Sequence, residues 1–179
     1  MDLLNKIDLG SRRFIVWMVL ALVVVIADQV TKWAIIQHLD YPDYYGVRFN
    51  DFIKLTHHRN YGAAWGFLAN EGGWQRWFFV VLATGVSAVI GVWVWRIRIE
   101  GPTILVAGLS LVLGGAVGNL IDRAFLGYVT DFIQVKLPGV PFFDPFPSFN
   151  IADSAISVGA ACLIIDALFF SGKAEQAAK

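Results

Sequence analysis

Four long apolar stretches constrain this chain more than any other feature of its sequence. They run from Phe14 to about Ile36, Trp77 to Trp95, Pro102 to Ile121 and Ser154 to Ser171. Each approaches the ~20 residues that a helix needs to cross a ~30 Å hydrocarbon core. Only 16% of the 179 residues are charged, against about a quarter in soluble domains. The sequence therefore predicts an all-α integral membrane protein with four transmembrane helices, folded as a single domain over residues 1–179.

Basic residues beside these stretches predict the orientation of the chain. Five of them lie next to the first stretch, between the second and third, or after the fourth: Arg12, Arg13, Arg96, Arg98 and Lys173. By the positive-inside rule these places are cytoplasmic. We therefore expect both termini inside, with residues about 37–76 and 122–153 outside. The formal net charge is zero, which gives no electrostatic reason to expect a nucleic acid partner.

The first outer loop carries a segment, from Tyr44 to Thr56, that is rich in aromatic and branched residues and partly alternates. This pattern predicts short strands resting at the membrane interface. Four aromatic residues follow it and fit an aromatic belt at headgroup level, or simple anchoring: Trp65, Phe67, Trp74 and Trp77. We therefore expect a small extracytoplasmic, β-rich segment between the first two helices.

Polar residues from distant parts of the chain are expected at one depth, the outer membrane boundary. At ~1.5 Å per residue, a helix that enters from inside near Phe14 emerges around Lys32. The same arithmetic brings eight polar residues to this level: Asp28, Lys32, Asn60, Asn119, Asp122, Arg123, Asn150 and Asp153. Because carboxylates near hydrocarbon cost several kcal/mol, such a gathering indicates a functional site.

Several of these residues also have a purely structural explanation. Asp28 and Lys32 are spaced i, i+4, so they either form a helix-end ion pair or help to hold a substrate. Asp122 pairs with either Arg123 or Lys32 in this interpretation. From the sequence alone, the structural role and the substrate-holding role of these residues both remain open.

The acids of the second outer loop and of the fourth stretch differ in the partners that the sequence offers them. Asn150 followed by Asp153 resembles an N-cap with an acidic third residue, which alone explains both. Asp131 lies among apolar neighbours and has no evident partner in the sequence. Asp166 lies ~13 residues beyond Asp153, or ~20 Å along a helix, so it is expected either to have a structural role or to extend toward the inner membrane surface.

Three other features of the sequence predict no catalytic chemistry. Gly114 and Gly118 form a small-xxx-small face that lets another helix approach closely. His57 and His58 lack any accompanying zinc-ligand spacing and are expected to be a solvated pair in a loop. Cys162 is the single cysteine of the chain and lies in an apolar stretch. We therefore expect no metal, no cofactor and no cysteine nucleophile.

Five ordered motifs strongly resemble those of the lipoprotein signal peptidase family, also called signal peptidase II. In chain order they are Asp28-Gln29-Val30-Thr31-Lys32, Asn60-Tyr61-Gly62-Ala63-Ala64-Trp65-Gly66, Gly114-Gly115-Ala116-Val117-Gly118-Asn119-Leu120-Ile121-Asp122-Arg123, Val129-Thr130-Asp131-Phe132-Ile133 and Phe149-Asn150-Ile151-Ala152-Asp153-Ser154. Together they extend from the first span to the last. One departure is the stretch from Gln134 to Ser148, which is longer and richer in proline than the usual spacer.

The resemblance implies a bacterial inner-membrane aspartyl endopeptidase with its active site at the periplasmic face. Its substrate would be a diacylglyceryl-modified prolipoprotein, cut just before the lipidated cysteine, and membrane lipid and globomycin-type inhibitors would be further partners. It assigns the catalytic pair to Asp131 and Asp153. It implies substrate-binding or supporting roles for eight other residues: Asp28, Lys32, Asn60, Gly62, Asn119, Asp122, Arg123 and Asn150.

Two carboxylates that share one water provide the expected mechanism, because they cannot both ionise comfortably. The helix start at Asp153 favours its charged form, which suggests Asp131 as the initially protonated partner, although the sequence does not decide between the two acids. One alternative is a small proton-coupled transporter that uses the same acids, although transport sites usually lie near the midplane and often in inverted repeats. Another is a noncatalytic assembly factor, which leaves Asp131 unexplained.

Overall fold

Four long helices form the body of the protein. The computed structural model describes residues 3–42, 45–62, 67–68, 72–141 and 144–170. The helices are α1 (Leu3–His38), α2 (Trp74–Arg96), α3 (Thr103–Phe125) and α4 (Ile151–Phe169). All four are long and apolar enough to cross a membrane, so the predicted four-helix membrane fold is confirmed. Ser171, at the end of the fourth apolar stretch, and Lys173, one of the orienting cations, lie outside the described residues.

Helix α3 lies at the centre and packs against the other three helices. Its glycines permit this close approach. A Cβ at Gly114 would lie 2.8 Å from Cβ of Val24 on α1, and one at Gly118 would lie 2.7 Å from Oδ2 of Asp28. The small-residue face predicted from the sequence is therefore confirmed as a contact surface, and it brings the polar end of α3 against α1.

The core and the outer surface of the bundle are both apolar. Six buried side chains from α1, α2 and α3 form the main cluster: Ala21, Ile90, Val94, Val106, Leu109 and Leu113. The outward faces carry exposed aliphatic residues, with Val81 and Leu168 each 71% exposed. Apolar side chains on the outside are what a bundle surrounded by lipid requires.

A three-stranded antiparallel sheet lies beside the bundle, in the order β1 (Val47–Arg48), β2 (Ile53–Asn60) and β3 (Val129–Val135). The first two strands fall mainly in the segment where strands were predicted, although Tyr44 at its start and Trp65 beyond it lie outside the described residues. The third strand was not predicted. It follows α3 closely and pairs with β2, so the sheet joins the two outer loops.

A β-bulge in β2 lies next to Asp131. Leu55 pairs with Ile133 whereas His58 pairs with Asp131, so β2 holds one extra residue between these two pairs. Such bulges bend a strand and redirect neighbouring side chains. On the other side of β3, Phe149 bridges to Ile133, so the Gln134–Ser148 stretch begins on β3 and its end returns to that strand before α4.

Candidate active site

The two predicted catalytic residues face one cavity of about 560 Å³, although they are distant in the sequence. Asp131 lies on β3, and Asp153 lies in the first turn of α4. Three other predicted site residues line the same cavity: Asn60, Asn119 and Arg123. Its remaining walls are mostly apolar and come from β3, the segment before α4 and the first turns of α4: Val129, Phe146, Pro147, Phe149, Ile156 and Val158.

Asn150 binds both aspartates at once. Its side-chain Nδ2 donates to Oδ1 of Asp131 at 2.8 Å, and its backbone N–H donates to Oδ2 of Asp153 at 3.2 Å. Its Oδ1 accepts a hydrogen bond from the backbone N–H of Asp153, which completes a capping box at the start of α4. The N-cap expected from the sequence is therefore formed, and the same fully buried residue also orients Asp131.

Each aspartate receives one further amide donor. Asn60 Nδ2 donates to Oδ2 of Asp131 at 3.1 Å, and Asn119 Nδ2 donates to Oδ1 of Asp153 at 2.8 Å. Asp131, which had no evident partner in the sequence, thus has two partners in the structure. All these donors are neutral, so they orient the carboxylates without compensating their charge.

The surroundings of Asp131 favour its protonated form. Burial, followed by the nearby charge of Asp153, raises the pKa of Asp131 from 3.8 to about 7, and these effects outweigh the hydrogen bonds from Asn60 and Asn150 and the charge of Lys32. Asp131 is only 5% exposed. When one of two acids in a site has its pKa raised to about 7, that acid can hold a proton near neutral pH while the other is ionised. General acid–base chemistry uses such a pair.

Lys32 is a fully bonded ammonium group behind the cavity. Its Nζ lies 2.8 Å from Oδ2 of Asp28 and 3.2 Å from Oδ2 of Asp122, and it donates to Oδ1 of Asn119 at 2.9 Å. These three acceptors match the three donors of an ammonium group. Asp28 therefore forms the ion pair that its spacing suggested, and Asp122 pairs with Lys32. None of Asp28, Lys32 and Asp122 lines the cavity.

The two acids bound to Lys32 also hold the backbone beside each aspartate. Asp28 Oδ1 accepts from the N–H of Ala152, and Asp122 Oδ2 accepts from the N–H of Thr130, both at 2.9 Å. Ala152 precedes Asp153, and Thr130 precedes Asp131. The ion cluster thus positions both acid-bearing segments.

Two members of this network were not selected from the sequence. Gln29 Nε2 donates to both Asp28 and Asp122, at 3.2 and 3.0 Å, and so ties α1 to α3. Thr130 takes part through its backbone, with its carbonyl accepting from Asn150 at 3.3 Å. Their only signal in the sequence was their position next to acids in two of the five motifs.

Arg123 supplies the cation that lines the cavity. One guanidinium nitrogen donates to the carbonyl of Gly62 at 2.8 Å, and the N–H of Gly62 donates to Oδ1 of Asn60 at 2.9 Å. Gly62 therefore participates through its backbone and links Arg123 with Asn60. Ala63 to Gly66 of the same motif lie outside the described residues.

Two other polar features of the sequence do not join the site. Asp166 is buried on α4, far along the helix from Asp153, and does not line the cavity. His57 is buried with Nδ1 3.0 Å from the carbonyl of Leu39, while His58 is exposed. The predicted solvated loop pair is therefore wrong for His57, which is buried, and both histidines lie on β2 rather than in a loop.

Comparison with known proteins points to one family. The family model described as Signal peptidase (SPase) II matches residues 20–169. The lipoprotein signal peptidase of Acinetobacter baylyi is 43% identical over 165 residues, which cover 92% of this chain and 88% of that protein. The lipoprotein signal peptidase of Shewanella baltica is 42% identical over 164 residues, covering 89% and 88%.

Two solved structures of bacterial membrane enzymes have the same fold. One aligns with a TM-score of 0.69 and 36% identity over 86% of this chain and 87% of that chain. The other aligns with a TM-score of 0.68 and 33% identity over 87% and 94%. Both alignments cover most of this chain.

Proposed function

The chain belongs to the signal peptidase II family, membrane peptidases that remove signal peptides from prolipoproteins, and we propose that Asp131 and Asp153 are its catalytic pair. The observation that carries this proposal is the double contact of Asn150, which holds the two carboxylates toward one cavity. No other described pair of acids lines that cavity. Hydrolysis is the chemistry of the family, and the assignment of these two residues is our inference.

The proposed reaction begins with one proton shared by the two acids and one water held between them. Asp153 is the ionised member and removes a proton from this water, which then attacks the scissile carbonyl. Asp131, whose pKa is raised to about 7, carries the proton. Its O–H donates a hydrogen bond to the developing oxyanion and then transfers its proton to the leaving amine as the C–N bond breaks, while Asp153 keeps the proton taken from water. The titration belongs to the pair rather than to either residue alone.

The other polar residues of the cavity either bind the substrate or hold the two acids in this proposal. Arg123 has guanidinium donors beyond the one used by Gly62, and these suit a carbonyl of an extended peptide. Asn60 and Asn119 hold the acids in their rotamers. The remaining three residues, Asp28, Lys32 and Asp122, act from behind the cavity as positioning residues rather than as substrate ligands.

The substrate proposed for this site is a prolipoprotein that carries a diacylglyceryl group on the cysteine following the cut. The apolar walls of the cavity include Ile156 and Val158 on α4, which also carries exposed apolar residues suited to lipid. A peptide is thus able to enter between the helices while its acyl chains stay in the bilayer. Globomycin-type inhibitors would compete for the same cavity.

The location proposed for the site is the periplasmic face of the bacterial inner membrane. The chain is a multi-pass bacterial membrane protein, with four spans. Four basic residues lie at the end of the bundle opposite the two aspartates, where Arg13 donates to the carbonyl of Ile99, and under the positive-inside rule they favour cytoplasmic termini: Arg12, Arg13, Arg96 and Arg98. The transporter alternative is not favoured, because the acids gather at one end of the bundle rather than at the midplane.

The test uses purified full-length protein reconstituted in vesicles with a diacylglyceryl-modified prolipoprotein. We expect release of the intact signal peptide, with mass spectrometry locating the cut directly before the lipidated cysteine, and inhibition by globomycin. An unmodified precursor with the same sequence is the matched control and is expected to be cut poorly. Equal cutting of both precursors would refute the proposed substrate, and proton uptake without cutting would support a transporter.

A further inference from the structure

A second cavity lies at the far end of the sheet, away from the aspartates. Its volume is about 420 Å³, and three cations line it, namely Arg48, Lys54 and Lys136. Asp51 is the acid among its described lining residues, so these residues together carry a net positive charge. None of these residues takes part in the site described above.

The cations share one face of the sheet. Arg48 on β1 is paired with Lys54 on β2, and Lys54 is paired in turn with Gln134 on β3. Lys136 follows Gln134 by two positions, so it lies on the same face, since side chains alternate along an extended chain. The three cations therefore present positive charge on one face at this end of the sheet.

Exposed aromatic residues surround the same cavity. Tyr45 and Phe52 line it and are 91% and 60% exposed, and Phe49 in the intervening hairpin is 75% exposed. Large aromatic side chains beside cations are typical of protein surfaces at the headgroup level of a bilayer. Because four spans fix the chain in a membrane, the lipid surface is the anionic surface nearest to this cavity.

We propose that this cavity binds the headgroup of an anionic phospholipid in the leaflet on the active-site side. The phosphate contacts the three cations, while the three aromatic side chains rest among the headgroups. Binding holds the far end of the sheet at the bilayer surface, and β3 in the same sheet carries Asp131. Each cation near an anionic membrane surface contributes roughly fivefold to binding.

The experiment measures lipid retention by the detergent-purified full chain in native mass spectrometry. The probes are phosphatidylglycerol, phosphatidylethanolamine and inorganic phosphate, each added separately and then in competition. We expect the protein to retain phosphatidylglycerol about tenfold more strongly than phosphatidylethanolamine. A variant that combines Arg48→Gln, Lys54→Gln and Lys136→Gln is expected to lose at least about tenfold of its phosphatidylglycerol retention.

Two further variants control for folding and for charge. The single Arg48→Gln change, at an exposed position, should lose about fivefold, while the combined Arg48→Lys and Lys136→Arg exchange should retain lipid as the parent does. Melting temperatures measured in detergent separate unfolding from lost binding. Unchanged phosphatidylglycerol retention in the folded triple variant would overturn the proposal. Displacement of the lipid by inorganic phosphate at equal concentration would also overturn it, because it would indicate a soluble anion.

Discussion

Asn119 Nδ2 donates to Oδ1 of Asp153 at 2.8 Å, although the two residues lie 34 positions apart on different helices. The other end of the same amide, Oδ1, accepts from Nζ of Lys32 at 2.9 Å. Because an ammonium group only donates, Lys32 determines which end of the amide faces the cavity, together with Asn150 Nδ2, which donates to the same Oδ1 at 3.2 Å. The orientation of the donor to Asp153 therefore depends on a buried cation that does not line the cavity.

Replacement of Lys32 by Met should damage both stability and turnover. It leaves two buried carboxylates, Asp28 and Asp122, without their cation, and breaking a buried pair in this way typically costs about 3–5 kcal/mol. We expect kcat to fall while KM stays nearly constant, because Lys32 does not line the cavity. Kinetics and thermal unfolding in detergent would measure both effects.

The matched control for that change is Lys32→Met combined with Asp28→Asn. Neutralising one of the two carboxylates that lost their cation should restore part of the lost stability, since contacting residues couple by about 0.5–3 kcal/mol. A rise in KM with unchanged kcat for Lys32→Met would instead indicate direct substrate contact and would contradict the positioning role.

Substitutions of Asn150 should separate helix capping from orientation of the acid. Asn150→Ser keeps an oxygen that can cap α4 but loses the donor to Asp131, whereas Asn150→Ala loses both. We expect both variants to lower kcat and to lose the stability that the buried donor contributes, and we expect Ala to be less stable than Ser by a further ~0.5–2 kcal/mol because it also loses the cap. Full activity in folded Asn150→Ser would show that the bond to Asp131 is dispensable.

The pH dependence of cleavage follows from the raised pKa of Asp131. Burial and the charge of Asp153 raise that pKa to about 7, so the proton of the pair is present below this value and lost above it. We therefore expect kcat/KM to fall about tenfold per pH unit once the pH exceeds that apparent pKa. A profile of kcat/KM that stays flat from about pH 6 to about pH 9 would contradict the need for a protonated partner.

Gly115 lies on the side of α3 that packs against α4, and this position should not tolerate an added methyl group. A Cβ at Gly115 would collide with the carbonyl of Ala152 and with Ile156, so Gly115→Ala is expected to destabilise by about 1–3 kcal/mol. Gly91→Ala on α2 is the control, because a methyl group there would meet no neighbouring atom within 4 Å and Ala favours helix. Equal melting temperatures for the two variants would contradict this packing.

The sequence predicted the helices well because their signal is local. A long apolar stretch or an Asn-x-x-Asp helix start is visible without knowing its neighbours, and the four spans and the Asn150–Asp153 cap are present as expected. Strand β3 was missed because it forms by pairing with β2, whose Asn60 is distant in the sequence from its partner Val129. Its branched residues were visible, but the pairing was not.

In the candidate site, too, the sequence predicted what depends on neighbouring residues but not the contacts between residues distant in the chain. The helix rise per residue placed the polar residues at one membrane depth, but it did not show which of their side chains are in contact. Asp122 had two possible cations by sequence, Arg123 and Lys32, and the packing of α3 against α1 selects Lys32. The partners of Asp131 come from β2 and from the residue that caps α4, and no sequence spacing specifies either contact.

The most direct test of the catalytic assignment is the cleavage rate of three variants that each neutralise one acid. Asp131→Asn and Asp153→Asn should each lower kcat by at least ~10²–10⁴, because each removes one half of the acid–base pair. Asp166→Asn changes an acid that is also buried but does not line the cavity, so it should keep kcat within about threefold of the parent value when folded. Near-parental cleavage by folded Asp131→Asn or Asp153→Asn would contradict the central claim.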